Sequence, residues 1–337
     1  MKEIYDTARQ SMKGFCRVCR ECDGNACAGE VPGMGGLGTA SSFKANVSAL
    51  RKINFNMRLV HDVVEPDTRV SLLGKDLSMP VLAAPIGGVS FNMGGGISEE
   101  AYINAIIFGC REKGIIGCTG DGVPDFIHET ALRAIKQAQG HGIPFIKPWE
   151  DKELFEKLEK VKQTTADIMG MDIDAAGLIT LKKMGRPVSP KTIEKLRQIV
   201  KQAPGKFILK GVMTVADALA AVDAGADAIV VSNHGGRVLD FTPGAATVLP
   251  GICDAVKGKI TILADGGVRT GGDVLKLLAL GADAVMIGRP FSVAAVGGRQ
   301  EGVGQYIDKI RIELEQAMVL TGVSDVCHVS RTILHGF

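Results

Sequence analysis

The chain has 337 residues, of which 46% are hydrophobic and 23% are charged, and its net charge is +2. This length suits one large α/β barrel or two ordinary domains. The near-neutral charge gives no reason to expect nucleic acid or a membrane surface as a partner. The polar N-terminus, MKEIYDTARQ, lacks the apolar centre of a signal peptide, and no run reaches the ~18 apolar residues of a membrane span. We therefore expect a cytoplasmic protein.

Residues 1–48 form a cysteine- and glycine-rich extension whose cysteines have the spacing C-x2-C-x2-C-x4-C. Eight cysteines in a cytoplasmic chain argue against a disulfide framework. The run resembles the C-x2-C-x2-C-x3-C-P pattern of iron–sulfur proteins, although its last spacer is one residue longer and alanine replaces the proline. Zinc is an alternative, as are free thiols and disulfides. The four candidate metal ligands are Cys16, Cys19, Cys22 and Cys27.

From residue 81 onwards, short apolar runs alternate with segments of helical period. Eight strand candidates begin at Val81, Gly114, Pro144, Asp167, Phe207, Ala228, Thr261 and Ala284. Because parallel neighbouring strands need a crossover connection, this alternation predicts a (β/α)8 TIM barrel over residues 49–337. A doubly wound sheet is the alternative, since a count of strands does not prove that the sheet closes.

The fifth and sixth candidate strands end in chemically useful side chains. The sixth reads AIVVSNHGGRVLD and delivers His234 and then Arg237. Histidine titrates near neutral pH, and barrels carry their chemistry at the carboxyl ends of strands, so His234 is the candidate base; a buried structural histidine is the alternative. Lys210 should reach the barrel mouth and stabilise developing negative charge, unless it is a surface lysine. Asp172 is the candidate partner of a protonated His234, with Asp174 competing for that role and a purely structural hydrogen bond as the alternative.

The last two candidate strands predict a phosphate site. Glycines let backbone N–H groups approach phosphate oxygens, and arginine adds a bidentate fork. Barrels commonly bind phosphate after these two strands, although ordinary turn glycines and surface arginines are the alternative. The candidate residues are Asp265, Gly266, Gly267 and Arg269 after the seventh strand, and Gly288 and Arg289 after the eighth.

Two long motifs indicate a family. They are LKGVMTVADALAAVDAGADAIVVSNHGGRVLD and ADGGVRTGGDVLKLLALGADAVMIGRPF. Both closely resemble the FMN-dependent 2-hydroxy acid dehydrogenases and oxidases. The resemblance implies that His234 is the base, that Arg237 holds the substrate carboxylate and that Lys210 lies beside the flavin N1/O2 edge. It implies that Arg269, Arg289 and the nearby glycines hold the FMN phosphate. Further implied flavin contacts are Pro85, Ile86, Gly87, Cys118, Lys147, Ser232 and Asp265.

The chain departs from that family in three places. The region around Val31-Pro32 lacks the family's substrate-contacting tyrosine, and Lys147-Pro148-Trp149 replaces a Gln-x-Tyr pair, so we expect Trp149 to contact the substrate. The segment after the fourth strand is short and lacks the family's second carboxylate-binding arginine. Its candidate replacements are Lys182, Lys183 and Arg186.

We therefore predict an FMN enzyme that oxidises a 2-hydroxy acid of the lactate type to the 2-oxo acid. The alternatives are a flavin-dependent isomerase or reductase on the same barrel, and a metal-containing redox sensor that retains FMN. The sequence leaves the electron acceptor open. The family resemblance implies a homotetramer or a larger assembly.

Overall fold

The computed structural model describes residues 1–178, 181 and 183–336. Eight parallel strands form a closed barrel, in which the last strand pairs with the first. The predicted TIM barrel is thus confirmed, and closure excludes the doubly wound alternative. A hairpin of β1 (Val70–Leu72) and β2 (Lys75–Leu77) precedes the barrel. The barrel strands are β3 (Val81–Ile86), β4 (Ile116–Thr119), β5 (Ile143–Ile146), β6 (Ile168–Asp172), β7 (Lys206–Val212), β8 (Ala228–Val231), β9 (Thr261–Ala264) and β10 (Ala284–Ile287).

Helices cover the outside of the barrel. In chain order they are α1 (Lys2–Ser11), α2 (Ser41–Arg51), α3 (Val89–Met93), α4 (Glu99–Glu112), α5 (Phe126–Gln137), α6 (Asp151–Lys162), α7 (Ile193–Gln202), α8 (Val215–Asp223), α9 (Ala245–Val256), α10 (Gly271–Ala279) and α11 (Arg289–Thr321). Helix α11 is kinked at Arg299, whose φ is +52°. Across the described ranges, none of these helices is long and apolar enough to cross a membrane.

The barrel is filled by side chains that alternate along each strand. Leu82, Phe145, Ile208 and Met286 point into one cluster inside the barrel, while Val81 and Ala83 belong to the layer between strands and helices. Strands buried on both faces read as continuous apolar runs, which explains why the sequence located them. The polar and charged side chains that line the cavity lie at or near the carboxyl ends of the strands, at the barrel mouth.

The N-terminal extension packs against the barrel. Helix α1 packs against α11, where a Cβ added to Gly297 would lie 2.0 Å from the backbone oxygen of Ile4. The Asp240 carboxylate in the loop after β8 accepts hydrogen bonds from the Thr39 backbone N–H at 2.7 Å and its hydroxyl at 2.8 Å. The boundary between extension and barrel, which the sequence analysis placed at residue 48, falls inside α2. The extension is thereby fixed beside the loop that carries His234.

A buried ion pair joins the loop after β4 to helix α6. The Asp121 carboxylate accepts hydrogen bonds from the Lys157 ammonium and the Trp149 indole N–H, both at 2.6 Å. Burial alone would raise the pKa of Asp121, but Lys157 and His128 outweigh burial and lower it. Lys157 also lies 5.0 Å from the centre of the Trp149 ring. This network fixes the tryptophan inside the protein.

We expect Asp121→Asn to lower the free energy of unfolding by about 3 kcal/mol, because the buried Lys157 ammonium then has only Glu153, at 3.7 Å, as a counter-charge. Urea denaturation followed by circular dichroism measures the change. The double variant Asp121→Asn/Lys157→Met should recover part of the loss. Glu159→Gln, which removes an exposed partner of Lys162, is the control and should change stability little. Equal stability of Asp121→Asn and the control would show that the pair does not stabilise the fold.

Candidate active site

A cavity of about 340 Å³ opens at the carboxyl ends of the barrel strands. This is the end of the barrel at which the sequence placed the chemistry. Most of the predicted site residues line this cavity: Pro85, Ile86, Gly87, Lys147, Asp172, Lys210, His234, Arg237, Asp265, Gly266, Gly267, Arg269, Gly288 and Arg289.

His234 is paired with a carboxylate. Its Nδ1 lies 2.8 Å from Oδ1 of Asp174, and its backbone N–H donates to the Ser232 hydroxyl at 3.1 Å. The residue has a φ of +57°, an uncommon conformation for a side chain other than glycine. With Nδ1 engaged, Nε2 is the ring nitrogen left to exchange a proton with a molecule in the cavity.

The expected pairing of His234 with Asp172 is wrong. Asp172 is the last residue of β6 and lies in register with Lys210 on β7. Its Oδ1 is 3.2 Å from the Lys210 ammonium. Asp174 lies two residues further on, in the 3-10 turn Ile173–Gly177, and reaches the imidazole instead. Strand register decides which carboxylate meets which cation.

Lys210 is a buried cation held by carboxylates. Its ammonium lies 3.2 Å from Asp172 and 3.7 Å from Asp265. Burial by itself would lower the pKa of Lys210, but Asp172 and Asp265 outweigh it and raise this pKa. Burial raises the pKa of Asp265, whereas His234 and Lys210 overcome burial and lower the pKa of Asp174. Lys210 is therefore charged and is not a surface lysine.

The N-terminal extension binds two half-buried guanidinium groups through its backbone. Arg237 donates to the carbonyls of Gly33 at 2.6 Å and Gly35 at 3.1 Å, and to Asn92 Oδ1 at 2.8 Å. Arg289 donates to the carbonyls of Met34 at 2.7 Å and Gly35 at 2.9 Å. Burial lowers the pKa of Arg237 to about 10, and burial together with Arg237 lowers that of Arg289 to about 9. Neutral carbonyls orient these cations and leave their charge uncompensated.

Several buried polar atoms near the strand ends have no hydrogen-bond partner within the described part of the chain. Among them are Nε of Arg269, after β9, the hydroxyl of Thr119, at the end of β4, and one carboxylate oxygen each of Asp172, Asp174 and Asp265. Burying a polar atom without a partner is costly, so such atoms indicate a missing ligand. Gly266 and Gly267 have φ of +93° and +84° and pack on α2, where added Cβ atoms would lie 2.7 and 2.6 Å from Asn46.

Three predicted contacts do not line the cavity. Trp149 is fully buried beneath it, because its indole N–H is bound to Asp121. Cys118 points into the apolar interior of the barrel. Ser232 is fully buried, and its hydroxyl accepts the His234 backbone N–H.

The replacements expected for the missing arginine behave differently. Arg186 is ion-paired with Glu153 and with Asp125, the latter at 2.7 Å, and does not line the cavity. Lys183 is exposed and also lies outside the cavity wall, while Lys182 lies outside the described residues. Lys147 does line the cavity and has no ion-pair partner within the described ranges. Among the described residues of the cavity wall, Lys147 is thus the lysine whose charge is not neutralised by an ion pair.

Several wall residues were missed by the sequence analysis. Asn92 orients Arg237, and no local pattern marks it. The apolar spacing in the segment after β6 could have indicated the wall residues there. The apolar wall residues are Val31, Pro32, Phe91, Leu178, Leu181 and Met184.

The four N-terminal cysteines line a second, adjacent cavity of about 760 Å³. All four are free thiols, so the disulfide alternative is not realised. The two cavities share part of their walls, namely Met34, Gly267, Arg269 and Arg289.

Known proteins resemble this chain over almost its whole length. The family model for FMN-dependent dehydrogenases matches residues 33–186 and 178–336. A peroxisomal (S)-2-hydroxyacid oxidase of Arabidopsis thaliana is 32% identical, over 88% of this chain and 89% of the relative. An L-lactate dehydrogenase of Caulobacter vibrioides is 52% identical, over 39% of this chain and 34% of its own.

A solved structure agrees with this relationship. The crystal structure of a mandelate oxidase with 3,3-difluoro-2-hydroxy-3-phenylpropionic acid superposes with a TM-score of 0.77 at 27% identity, over 99% of this chain and 97% of the other. The family model begins at residue 33, after the four cysteines. The chain belongs to the FMN-dependent dehydrogenase family.

Proposed function

We propose that this protein oxidises a 2-hydroxy carboxylate to the 2-oxo acid, with FMN as the immediate electron acceptor. The observation that carries this proposal is that His234, hydrogen-bonded to Asp174, faces the cavity beside the buried Lys210 and the half-buried Arg237. The names of the relatives support the same chemistry. They do not favour an isomerase or a redox sensor.

The residues on the wall fit FMN. Arg269, with its unpartnered Nε, and Arg289 would hold the phosphate together with the glycines after β9 and β10. Pro85, Ile86 and Gly87 give the ring a flat wall at the end of β3. The flavin, when bound, accepts the two electrons removed from the substrate. Lys210 would place its positive charge where the reduced ring becomes negative.

His234 moves the proton. Because Nδ1 is bound to Asp174, Nε2 is free to take a proton from the substrate as its electrons leave. The resulting imidazolium is stabilised by the Asp174 carboxylate, whose lowered pKa keeps it ionised. Asp172 acts through Lys210, by fixing its ammonium at 3.2 Å.

Two cations would bind the substrate carboxylate. Arg237 is held in place by Gly33, Gly35 and Asn92, which leaves its charge to be met by an anion. Lys147 has no ion-pair partner among the described residues and lines the same cavity. We infer that Lys147 supplies the second positive charge that Arg186, ion-paired elsewhere, cannot supply.

An assembly of several copies is proposed from exposed apolar side chains between α2 and β1. Met57, Leu59, Val60 and Val64 are 72, 58, 91 and 78% exposed. Four exposed apolar side chains within eight consecutive positions favour a protein–protein contact in this segment. The tetramer or larger assembly implied by the family, and the cytoplasmic location, stay predictions.

We expect His234→Ala to slow flavin reduction by about 10²-fold or more, the usual loss when a general base is removed. FMN content should be unchanged, because His234 is not among the residues proposed to hold the phosphate. Stopped-flow absorbance under anaerobic conditions measures the rate. Asp174→Asn should impair proton removal by His234 more than Asp172→Asn does, because it is Asp174 that is bound to the imidazole. If the His234→Ala variant reduced its flavin at the wild-type rate, His234 would have no part in the mechanism.

We expect Lys147→Met to raise KM for a 2-hydroxy acid about tenfold or more, because a charge-assisted contact to the carboxylate is lost. Lys201→Met, on the exposed face of α7, is the matched control and should leave KM unchanged. Steady-state kinetics with an artificial electron acceptor gives both values. An unchanged KM in Lys147→Met would show that this ammonium does not bind the substrate.

We expect aromatic or bulky 2-hydroxy acids to exceed glycolate in kcat/KM by at least about tenfold, because the wall at Phe91, Leu178 and Leu181 is apolar. Leu178→Ala should reduce the advantage of the aromatic acid and leave glycolate turnover unchanged. A wild-type preference for glycolate over every larger acid would contradict this account of the wall.

A further inference from the structure

The second cavity is walled by the four cysteines of the extension, which the proposed oxidation does not use. Cys16, Cys19, Cys22 and Cys27 come from twelve consecutive positions and line one space of about 760 Å³. All four are free thiols, and three of them are partly buried. Four free thiols around one cavity form a possible set of metal ligands.

The four sulfur atoms are not gathered closely enough to hold a single zinc ion as they stand. Among the described residues, no three of these sulfur atoms all lie within 4.8 Å of one another. A tetrahedral zinc ion with Zn–S bonds of about 2.3 Å would bring its sulfurs to about 3.8 Å from one another. A body of four irons and four sulfides is larger and holds its thiolates further apart.

Donors and charge around the thiols suit an anionic cluster. The Val18 backbone N–H lies 3.4 Å from the Cys16 sulfur, and the Arg269 guanidinium lies 3.3 Å from that of Cys22. Hydrogen bonds to sulfur are a feature by which proteins tune iron–sulfur clusters. The acidic wall residues are Glu21, Asp23 and Asp273. The cationic wall residues are Arg20, Arg269 and Arg289, together with four that are ion-paired with carboxylates, namely Arg9, Arg17, Arg51 and Lys309.

The cysteine cavity adjoins the proposed flavin site. Arg269 and Arg289, which would hold the FMN phosphate, line both cavities, and so does Gly267. Arg269 makes the connection directly, since its guanidinium also donates to the Cys22 carbonyl at 3.0 Å. A cluster in the second cavity would therefore be a neighbour of the bound flavin.

We propose that Cys16, Cys19, Cys22 and Cys27 bind a [4Fe–4S] cluster that accepts electrons, one at a time, from the reduced flavin. Each oxidised substrate molecule gives the flavin two electrons. The cluster takes one, passes it to a one-electron carrier protein, and then takes the second, so two carriers are reduced per substrate. The cluster itself does not depend on the proposed function, whereas its reduction by substrate does.

The decisive measurement is the iron and acid-labile sulfide content of the whole protein purified without oxygen, and again after reconstitution with ferrous iron and sulfide. We expect about four of each per chain, with the broad brown absorbance of a cluster. Cys19→Ser should lose both, because a site with four ligands fails when one is lost. Cys327→Ser, which removes an exposed thiol near the C-terminus, is the control and should keep both.

The FMN content of each variant shows whether its barrel has folded, so that loss of iron can be distinguished from unfolding. A Cys19→Ser protein that binds FMN fully but lacks iron supports the site. Zinc alone, no metal after reconstitution, or full iron in Cys19→Ser would overturn it. With the cluster present, an anaerobic 2-hydroxy acid should generate the electron paramagnetic resonance signal that dithionite generates. A signal with dithionite alone would retain the cluster and remove its proposed link to the substrate.

Discussion

The active site depends on one buried positive charge. Lys210 points into the mouth of the barrel, where an ammonium is stable only if carboxylates surround it. Asp172 and Asp265 meet that requirement at 3.2 and 3.7 Å. Both carboxylates lie at ion-pair distance from Lys210, whereas the carboxylate that is hydrogen-bonded to His234, that of Asp174, comes from the turn that follows β6. The charge arrangement thus assigns separate tasks to Asp172 and Asp174.

The N-terminal extension is part of the same site. Its carbonyls orient Arg237 and Arg289 but do not neutralise their charge. An aspartate in the same place would neutralise it. A guanidinium that is positioned by neutral groups keeps its attraction for an anionic ligand. This use of backbone oxygens also explains why the short glycine-rich stretch lies so close to the barrel. Within the extension itself, an added Cβ at Gly35 would lie 2.1 Å from the Cys27 carbonyl oxygen, so a side chain has no room there.

The sequence could predict the barrel and most of the cavity wall because both follow local rules. Buried strands are apolar runs, and the residues at their carboxyl ends share one face. It could not say which of Asp172 and Asp174 pairs with His234, because that depends on the strand register and on the 3-10 turn after β6. It misplaced Trp149 because the acceptor of its indole, Asp121, lies 28 positions away in the chain. The sequence also offered Arg186 as a replacement for the missing arginine, but the fold pairs its side chain with Glu153 and Asp125.

The central claim is that a 2-hydroxy acid delivers its electrons to a flavin in this cavity. Anaerobic titration of the purified FMN-containing protein with mandelate or lactate tests it most directly, by following flavin absorbance and 2-oxo acid together. The account predicts that the flavin is bleached as the 2-oxo acid accumulates. A flavin that dithionite bleaches, but that no 2-hydroxy acid bleaches, would contradict it.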